Sequence, residues 1–252
     1  MGAASRTPCI VAIEGASAAG KSSVVDAASA WPGWITLPEA FDRIVPRPSL
    51  EFTSPSSLIA LETRLLTEEA HRYRDAGRLR RQGRFVLTDT GFWAPLVYTW
   101  GLVVAGLAPP AVLRPLVDRA DRWVTQARWG IPDLTIYLDT TETDRLRRAR
   151  AAPVDHPAHL QRRHQQVGRI ERELFQKVFS HLLPNRIRFV PGEGPVTRVV
   201  GRVRAEIGAA PVAPTRASEA KRILSFLRSG SAPPRAATVK KLAQSRRPLD
   251  FR

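Results

Sequence analysis

The sequence predicts an α/β fold in which a five-stranded parallel sheet is covered by helices on both faces. Short apolar runs bounded by turn residues alternate with longer stretches of helical periodicity along the chain up to residue 207. This alternation is typical of parallel sheets, because each strand needs a crossover before the next one can run in the same direction. The 252 residues and the 43% hydrophobic content suffice for one sizeable core.

Five apolar runs are predicted to form buried strands, at residues 9–13, 34–37, 85–87, 134–138 and 187–190. Helical spacing is found between and after them, at residues 21–30, 56–82, 112–128, 141–150, 159–183 and 196–207. Residues 91–113 carry no charge, but three prolines interrupt them. We therefore expect a buried helix, a turn and a second helix there, rather than a membrane span.

Cysteine usage and the N-terminal composition indicate the compartment. Cys9 is the only cysteine, which excludes an intramolecular disulfide and a thiolate metal cluster. The N-terminal residues lack the apolar stretch of a secretion signal. We therefore expect a cytoplasmic protein with no membrane partner.

The predicted domain covers residues 1–210, and residues 211–252 form a basic tail. Prolines, alanines and basic residues dominate this tail, which holds ten basic and two acidic side chains of a chain whose net charge is +16. A short helix is predicted from Ser218, with an apolar face formed by Ile223, Leu224, Phe226 and Leu227. The tail either docks on the domain, stays partly disordered, or binds a protein or nucleic acid; it is the only route to nucleic acid that the sequence offers.

The strongest motif lies directly after the first predicted strand. Residues 15–22, GASAAGKS, fit the pattern G-x-x-x-x-G-K-[ST] and precede a predicted helix. Such a loop surrounds phosphates with backbone N–H groups at the positive end of the helix, while Lys21 neutralises the β and γ phosphates and Ser22 ligates magnesium. We therefore predict a P-loop nucleoside triphosphate hydrolase fold with ATP and Mg²⁺ as cofactors. The predicted nucleotide contacts are Gly15, Ala16, Ser17, Ala18, Ala19, Gly20, Lys21, Ser22 and Ser23.

With this motif, the chain resembles the thymidylate kinase and deoxynucleoside kinase group through most of its first 205 residues. Residues 85–98, FVLTDTGFWAPLVY, are similar to the family's strand that ends in Asp-Arg-Tyr or Glu-Arg-Ser and precedes a helix containing Ala-Tyr-Gln. Asp89 takes the acidic position, which implies a magnesium-organising or basic role. Thr90 stands where the family has arginine, and Thr99 where thymidylate kinases have glutamine, so the cation that normally holds an acceptor phosphate is missing.

The resemblance also implies an acceptor site. Glu39, after the second strand in WITLPEAF, resembles the general base of deoxynucleoside kinases, with Asp89 as the competing base and a surface or helix-capping glutamate as the alternative. Arg64 resembles the arginine that thymidylate kinases place over the acceptor, although a surface arginine paired with Glu68 explains it as well. Trp93 and Tyr98 are expected to bind the acceptor.

The basic helix after the fourth strand resembles the helix that leads to the lid of these kinases. Arg148 and Arg150 are predicted to cover the γ-phosphoryl group, with Arg145 in reserve, and residues 151–159 would form the lid loop. A solvated basic face is the alternative.

Residues 191–194, PGEG, occupy the position where related kinases bring a loop against adenine, or form a plain turn.

These features predict an ATP-dependent phosphotransferase that acts on a small-molecule acceptor, in first place a nucleoside or nucleoside monophosphate. The alternatives are a kinase of an antibiotic or another hydroxylated metabolite, and a non-catalytic ATP-binding regulator that uses the basic tail. A homodimer is compatible with the sequence.

Overall fold

The computed structural model of the protein describes residues 7–151, 158–210 and 213–229. Its sheet is parallel and has the strand order β2-β3-β1-β4-β5. The strands are β1 (Ile10–Glu14), β2 (Trp34–Leu37), β3 (Phe85–Asp89), β4 (Leu134–Asp139) and β5 (Ile187–Pro191). All five predicted strands are confirmed, and with them the predicted α/β fold class.

Helices follow the strands as the sequence predicted. They are α1 (Lys21–Ala28), α2 (Ala40–Arg43), α3 (Pro55–Arg81), α4 (Ala94–Val104), α5 (Leu113–Thr125), α6 (Glu142–Ala151), α7 (Ala158–Leu174), α8 (Ser180–Leu182), α9 (Val196–Ala209) and α10 (Ala217–Arg228). A π-helical turn, Phe175–Phe179, joins α7 to α8. The predicted lid loop at residues 151–159 lies largely outside the described residues.

Two apolar layers enclose the sheet. On one face, Val11 and Ile13 of β1 pack with α1 and α9, in a core that includes Val24 and Val203. On the other face, Ile10 belongs to a larger core with residues of α3, α4, α5 and the π-helical turn. Since side chains of a strand alternate between the faces, Glu14 at the end of β1 points to the same side as Ile10. The central strand is therefore buried on both faces.

The uncharged segment at residues 91–113 is a buried helix, a turn and the start of a second helix, as predicted. Helix α4 is followed by the 3-10 turn Pro110–Val112, which leads into α5. Trp100 and Leu102 of α4 are fully buried in the apolar cores. No helix within the described ranges is both long and apolar enough for a bilayer crossing.

The described part of the tail packs on the domain. Helix α10 lies against α5, with Ile223 and Leu227 buried in the larger core. Asp133, 3% exposed, connects this segment to the sheet, because its carboxylate accepts hydrogen bonds from the backbone N–H groups of Ile10 (2.9 Å) and Thr215 (2.8 Å). Residues 217–228 thus dock on the domain, whereas the domain boundary at residue 210 stays a prediction.

The strand order locates the cleft. After β1 the chain moves to one side of the sheet to form β2 and β3, and then returns past β1 to form β4 and β5 on the other side. Such a reversal opens a crevice at the carboxyl ends of the strands, where ligands bind in open parallel sheets. The predicted phosphate-binding loop begins at this point.

Candidate active site

The phosphate-binding loop has the backbone that its glycines allow. Gly15 has φ +143°, and a Cβ atom there would lie 2.9 Å from the carbonyl oxygen of Leu138. Gly20 has φ +102° and precedes the first residue of α1. Both positions favour glycine, because a side chain would be strained or would clash. The loop therefore brings the N-terminus of α1 to the end of β1.

The groups that would hold a triphosphate are gathered at this helix end. Lys21 opens α1, and its Nζ donates to the carbonyl oxygen of Gly15 at 2.9 Å. The side chains of Ser22 and Ser23 follow in the same turn and are exposed. Backbone N–H groups at a helix N-terminus attract anions. This donor set fits a nucleoside triphosphate.

Asp89 lies beside this loop, at the end of β3. The residue is 6% exposed, and its Oδ1 has no hydrogen-bond partner among the described residues. Its backbone oxygen accepts hydrogen bonds from Thr90 Oγ1 (2.6 Å) and Arg72 Nη2 (2.7 Å). A buried carboxylate oxygen without a partner fits a hard cation such as Mg²⁺ or an acceptor hydroxyl.

Arg72 was not identified from the sequence. Its guanidinium is fully buried, donates to Glu69 Oε2 at 2.5 Å and lies over the ring of Phe92 at 5.7 Å. Glu69 and Arg72 lie on the inner face of α3, which also carries Glu62. The spacing i, i+7 and i+10 places these three residues on one side of the helix, but it does not indicate that this side is buried.

Glu14 is a second buried acid that sequence reasoning missed. Its Oε1 accepts hydrogen bonds from the backbone N–H of Gly91 (2.8 Å) and from Trp93 Nε1 (2.6 Å), and the residue is 2% exposed. Burial raises the pKa of its carboxyl, against the lowering effect of these donors and of Lys21. Glu14 thus connects β1, next to the phosphate-binding loop, with the turn after β3.

Glu39 lies at the same edge of the sheet. It precedes the short helix α2 and is half-buried. Burial raises the pKa of its carboxyl; Lys21 and Arg72 lower it, and Asp89 raises it. Glu39 therefore lies close enough to Lys21 and Asp89 for their charges to shift its pKa, and its role as a base stays a prediction.

Two of the three arginines considered for the lid contact the phosphate-binding loop. Arg148 donates to the carbonyl oxygens of Ala19 and Gly192, both at 2.7 Å, and Arg145 donates to that of Ser17 at 3.3 Å. Arg150 is exposed, since it lies two residues further along α6 and therefore on another side of the helix. Its predicted role over the γ-phosphoryl group stays a prediction.

The residues predicted to bind the acceptor are spread over the region. Trp93 is 1% exposed and packs against Phe179, so it supports Glu14 from the core rather than forming the surface of the cleft. Tyr98 is half-buried beside Glu62, and burial raises the pKa of its phenol to about 12. Arg64 is exposed on α3 and donates to the carbonyl oxygen of Pro46 at 3.2 Å.

The predicted adenine loop lies against the strand that precedes α6. A Cβ atom on Gly192 would lie 1.9 Å from Thr140 Oγ1, so the loop and this strand end are in close contact. Glu193 Oε1 accepts from the backbone N–H of Thr141 at 2.8 Å. A cavity of about 300 Å³ opens beside them, lined by Asp139, Thr141, Arg172, Phe189, Pro191 and Glu193.

A magnesium site would depend on the bound nucleotide. Within residues 7–151, 158–210 and 213–229, no group of three or more His, Cys, Asp or Glu side chains could hold a metal ion. A magnesium ion would therefore need oxygens of the nucleotide in addition to Ser22 and Asp89, which is usual for this ion.

The chain is similar to one domain family and to several solved structures. The model of the AAA domain family matches residues 10–172. No curated protein matches the amino-acid sequence. Among solved structures, deoxyadenosine kinase from M. mycoides with bound dATP has a TM-score of 0.59 and 14% identity, and the match covers 79% of this chain and 100% of that chain.

Two further solved structures show the same likeness. Deoxyadenosine kinase from M. mycoides with the products dCMP and a flexible dCDP has a TM-score of 0.60 and 13% identity, over 79% of this chain and 99% of that one. Thymidylate kinase from Candida albicans has a TM-score of 0.57 and 16% identity, over 80% and 92%. The predicted resemblance to this kinase group is therefore confirmed at the level of the fold.

Proposed function

The chain belongs to the AAA domain family, and we propose that within this family it acts as an ATP-dependent phosphotransferase. The observation that carries the proposal is the arrangement around Lys21. A phosphate-binding loop, two acids that could take a proton, Glu39 and Asp89, and an arginine from α6 meet at one edge of the sheet. A nucleotide switch needs the loop but has no need of a base.

The donor side holds the triphosphate and neutralises its charge. Backbone N–H groups of residues 15–23 surround the phosphates, and Lys21 lies against the β and γ groups. Arg148, together with Arg150, covers the γ-phosphoryl oxygens, on which negative charge spreads in the transition state. Ser22 would hold a magnesium ion, with Asp89 as its second protein oxygen where Glu39 serves as the base, and the ion would neutralise further charge on the phosphates.

The acceptor side removes one proton. The acceptor oxygen forms a bond to the γ-phosphorus, the bond from that phosphorus to the bridging oxygen breaks, and ADP leaves. Glu39 or Asp89 takes the proton of the attacking hydroxyl. The raised pKa of Glu39 suits a base that works near neutral pH, because it holds the proton more tightly than an exposed carboxylate.

The acceptor is a small molecule, in first place a nucleoside or a nucleoside monophosphate. The names of the structural neighbours, deoxyadenosine kinase and thymidylate kinase, support this class. An antibiotic or another hydroxylated metabolite is the alternative, favoured by Thr90 at the position where the resemblance expects arginine. Tyr98 and Arg64 are the proposed acceptor contacts. We further propose that the protein acts in the cytoplasm and as a homodimer.

An acceptor panel tests the proposed function. Nucleosides, nucleoside monophosphates and hydroxylated antibiotics are incubated with ATP·Mg²⁺, and phosphorylated products are identified by mass spectrometry. We expect acceptor-stimulated ADP release that the substitution Lys21→Ala abolishes and that Lys177→Ala, on the surface, leaves unchanged. ATP binding without transfer to any acceptor would instead favour a non-catalytic regulator.

A further inference from the structure

The inner face of α3 carries acids where an acceptor would lie. Glu62 and Glu69 are 2% and 1% exposed, and seven residues along a helix correspond to a separation of about 10 Å. The charge of Glu39 raises the pKa of Glu69, and the charge of Asp89 raises the pKa of Glu39, so the three acids lie near one another. We refer to Glu39, Glu62, Glu69 and Asp89 as the acceptor-side carboxylates.

The guanidinium groups that border these acids are already bound to the protein. Arg72 is fully buried between Glu69 Oε2 (2.5 Å) and the backbone oxygen of Asp89 (2.7 Å). Arg163, near Glu62, donates to the carbonyl oxygen of Leu50 at 2.7 Å and lies over the ring of Phe52. Both groups therefore already donate to protein oxygens, and Arg72 does so from both of its terminal nitrogens. A phosphate is usually held by paired donors, and the terminal nitrogens of Arg72 are already engaged with the protein.

The cations of the donor side are assigned to ATP rather than to the acceptor. Lys21 belongs to the phosphate-binding loop, while Arg145 and Arg148 donate to carbonyl oxygens of that loop. In the proposed function these cations bind the triphosphate of ATP. An acceptor phosphate would therefore enter a region whose four acidic side chains offer it no positive charge and whose buried Arg72 is already bound to the protein, so it would be held poorly.

Two of the carboxylates have an oxygen free to bind a ligand. Glu62 Oε2 and Asp89 Oδ1 are buried and have no hydrogen-bond partner among the described residues. Buried polar atoms are normally paired, so an unpaired buried oxygen indicates a missing donor. Burial raises the pKa of Glu62 to about 8, and a nearby positive charge would return this carboxyl to its ionised form.

On the basis of the proposed function, we propose that the acceptor is a hydroxyl compound that carries an amine or another fixed positive charge and no phosphate. Its hydroxyl lies at Asp89 and Glu39, next to the γ-phosphoryl group. Its positive charge lies along the inner face of α3, between Glu69 and Glu62. The acceptor-side carboxylates thus select for charge as well as for the reacting hydroxyl.

Matched acceptors that differ in charge test this inference. One set is uridine, aminomethyluridine and UMP, and the other is glucose, glucosamine and glucose phosphate, each with ATP·Mg²⁺ and a measurement of kcat/KM for ADP release. In at least one set we expect the amine to exceed its neutral partner by about tenfold or more, and the phosphate to give no ADP above the level without acceptor.

Variants connect the preference to the acids. Glu62→Gln and Glu69→Gln should each reduce the ratio of kcat/KM between amine and neutral acceptor by about fivefold or more, whereas Glu173→Gln on the exposed side of α7 should leave it unchanged. Because both acceptors are measured on one sample, the ratio does not depend on the fraction of folded enzyme. An unchanged ratio in both variants would contradict the inference.

The outcomes separate this inference from the function on which it rests. Transfer to neutral or phosphorylated acceptors with no advantage for the amine would overturn the inference and leave the phosphotransferase activity in place. No transfer to any acceptor, while ATP·Mg²⁺ still binds, would overturn both.

Discussion

The guanidinium of Arg148 lies 2.7 Å from the carbonyl oxygen of Ala19, so helix α6 is joined directly to the phosphate-binding loop. The same side chain donates to Gly192, in the loop after β5. One residue therefore connects helix α6 with two loops at the carboxyl edge of the sheet. On α6, the positions three and four residues apart share a face, which explains why Arg145 also reaches the loop.

Removal of Arg148 should impair transfer more than removal of its neighbours. We expect Arg148→Ala to lower kcat by about 100-fold to 1,000-fold, because it removes positive charge over the γ-phosphoryl group. Arg147→Ala, at an exposed residue paired with Asp144, serves as the control and should retain activity. Steady-state kinetics with a working acceptor measures both, and equal losses in the two variants would contradict the assignment.

Glu14 should matter for stability as well as for the site. Glu14→Ala leaves the buried N–H groups of Gly91 and Trp93 without an acceptor, which should lower the free energy of unfolding by about 2 to 4 kcal/mol. Glu14→Gln keeps an acceptor oxygen and should lose less. Denaturant unfolding compares the two with Glu173→Ala, an exposed control. A loss below about 1 kcal/mol for Glu14→Ala would show that these bonds contribute little.

The sheet and the phosphate-binding loop could be predicted because their signals are local. A buried strand appears as a short apolar run, and GASAAGKS needs only its own glycines and lysine to form the loop. The β3 end at Asp89 was also visible, because polar residues directly follow an apolar run. Each of these features lies within about ten residues of sequence.

The pairing of Arg72 with Glu69 could not be predicted with equal ease. Helix α3 carries charged residues on all sides, so its sequence does not reveal which acids turn inward. Arg64 resembles a family arginine yet lies on the exposed side, whereas Arg72 lies on the face that the fold buries. Which of the two arginines is buried depends on how α3 packs against β3.

The docking of α10 should contribute measurably to stability. Leu227 is fully buried in the larger core, which also contains residues of α5. Leu227→Ala should lower the free energy of unfolding by about 2 to 4 kcal/mol, because it loses buried apolar surface and leaves a cavity. Ser225 lies on the exposed side of the same helix, so Ser225→Ala should change stability by less than about 0.5 kcal/mol. Thermal and denaturant unfolding provide the comparison, and equal effects would indicate that α10 does not dock.

Glu62 should make stability depend on pH. Burial raises the pKa of its carboxyl from 4.5 to about 8, so the folded chain keeps a proton that the unfolded chain releases above about pH 4.5. The free energy of unfolding should therefore fall as the pH rises from about 4.5 to about 8, and change little from this source above that range. Glu62→Gln should remove up to about 1.4 kcal/mol per pH unit of this slope. Urea unfolding across the window, with Glu173→Gln as the control, measures the difference; identical slopes would place the titration elsewhere.

Gly168 allows α7 to approach the phosphate-binding loop. A Cβ atom on Gly168 would lie 2.9 Å from the Cβ of Ala16 and 3.1 Å from Nη1 of Arg145, so Gly168→Ala must shift the helix, the loop or the arginine. We expect weaker ATP binding and a loss of about 1 to 3 kcal/mol in stability.

Gly201 on α9 provides the matched control, because a Cβ atom there meets no heavy atom within 4 Å. Gly201→Ala should stabilise the chain by about 0.5 to 1 kcal/mol through helix propensity and leave ATP binding unchanged. Both substitutions give a helical glycine the same propensity gain, so the difference between them isolates the contact with the loop. If Gly168→Ala bound ATP as tightly as Gly201→Ala, close packing of α7 against the loop would not be needed for nucleotide binding.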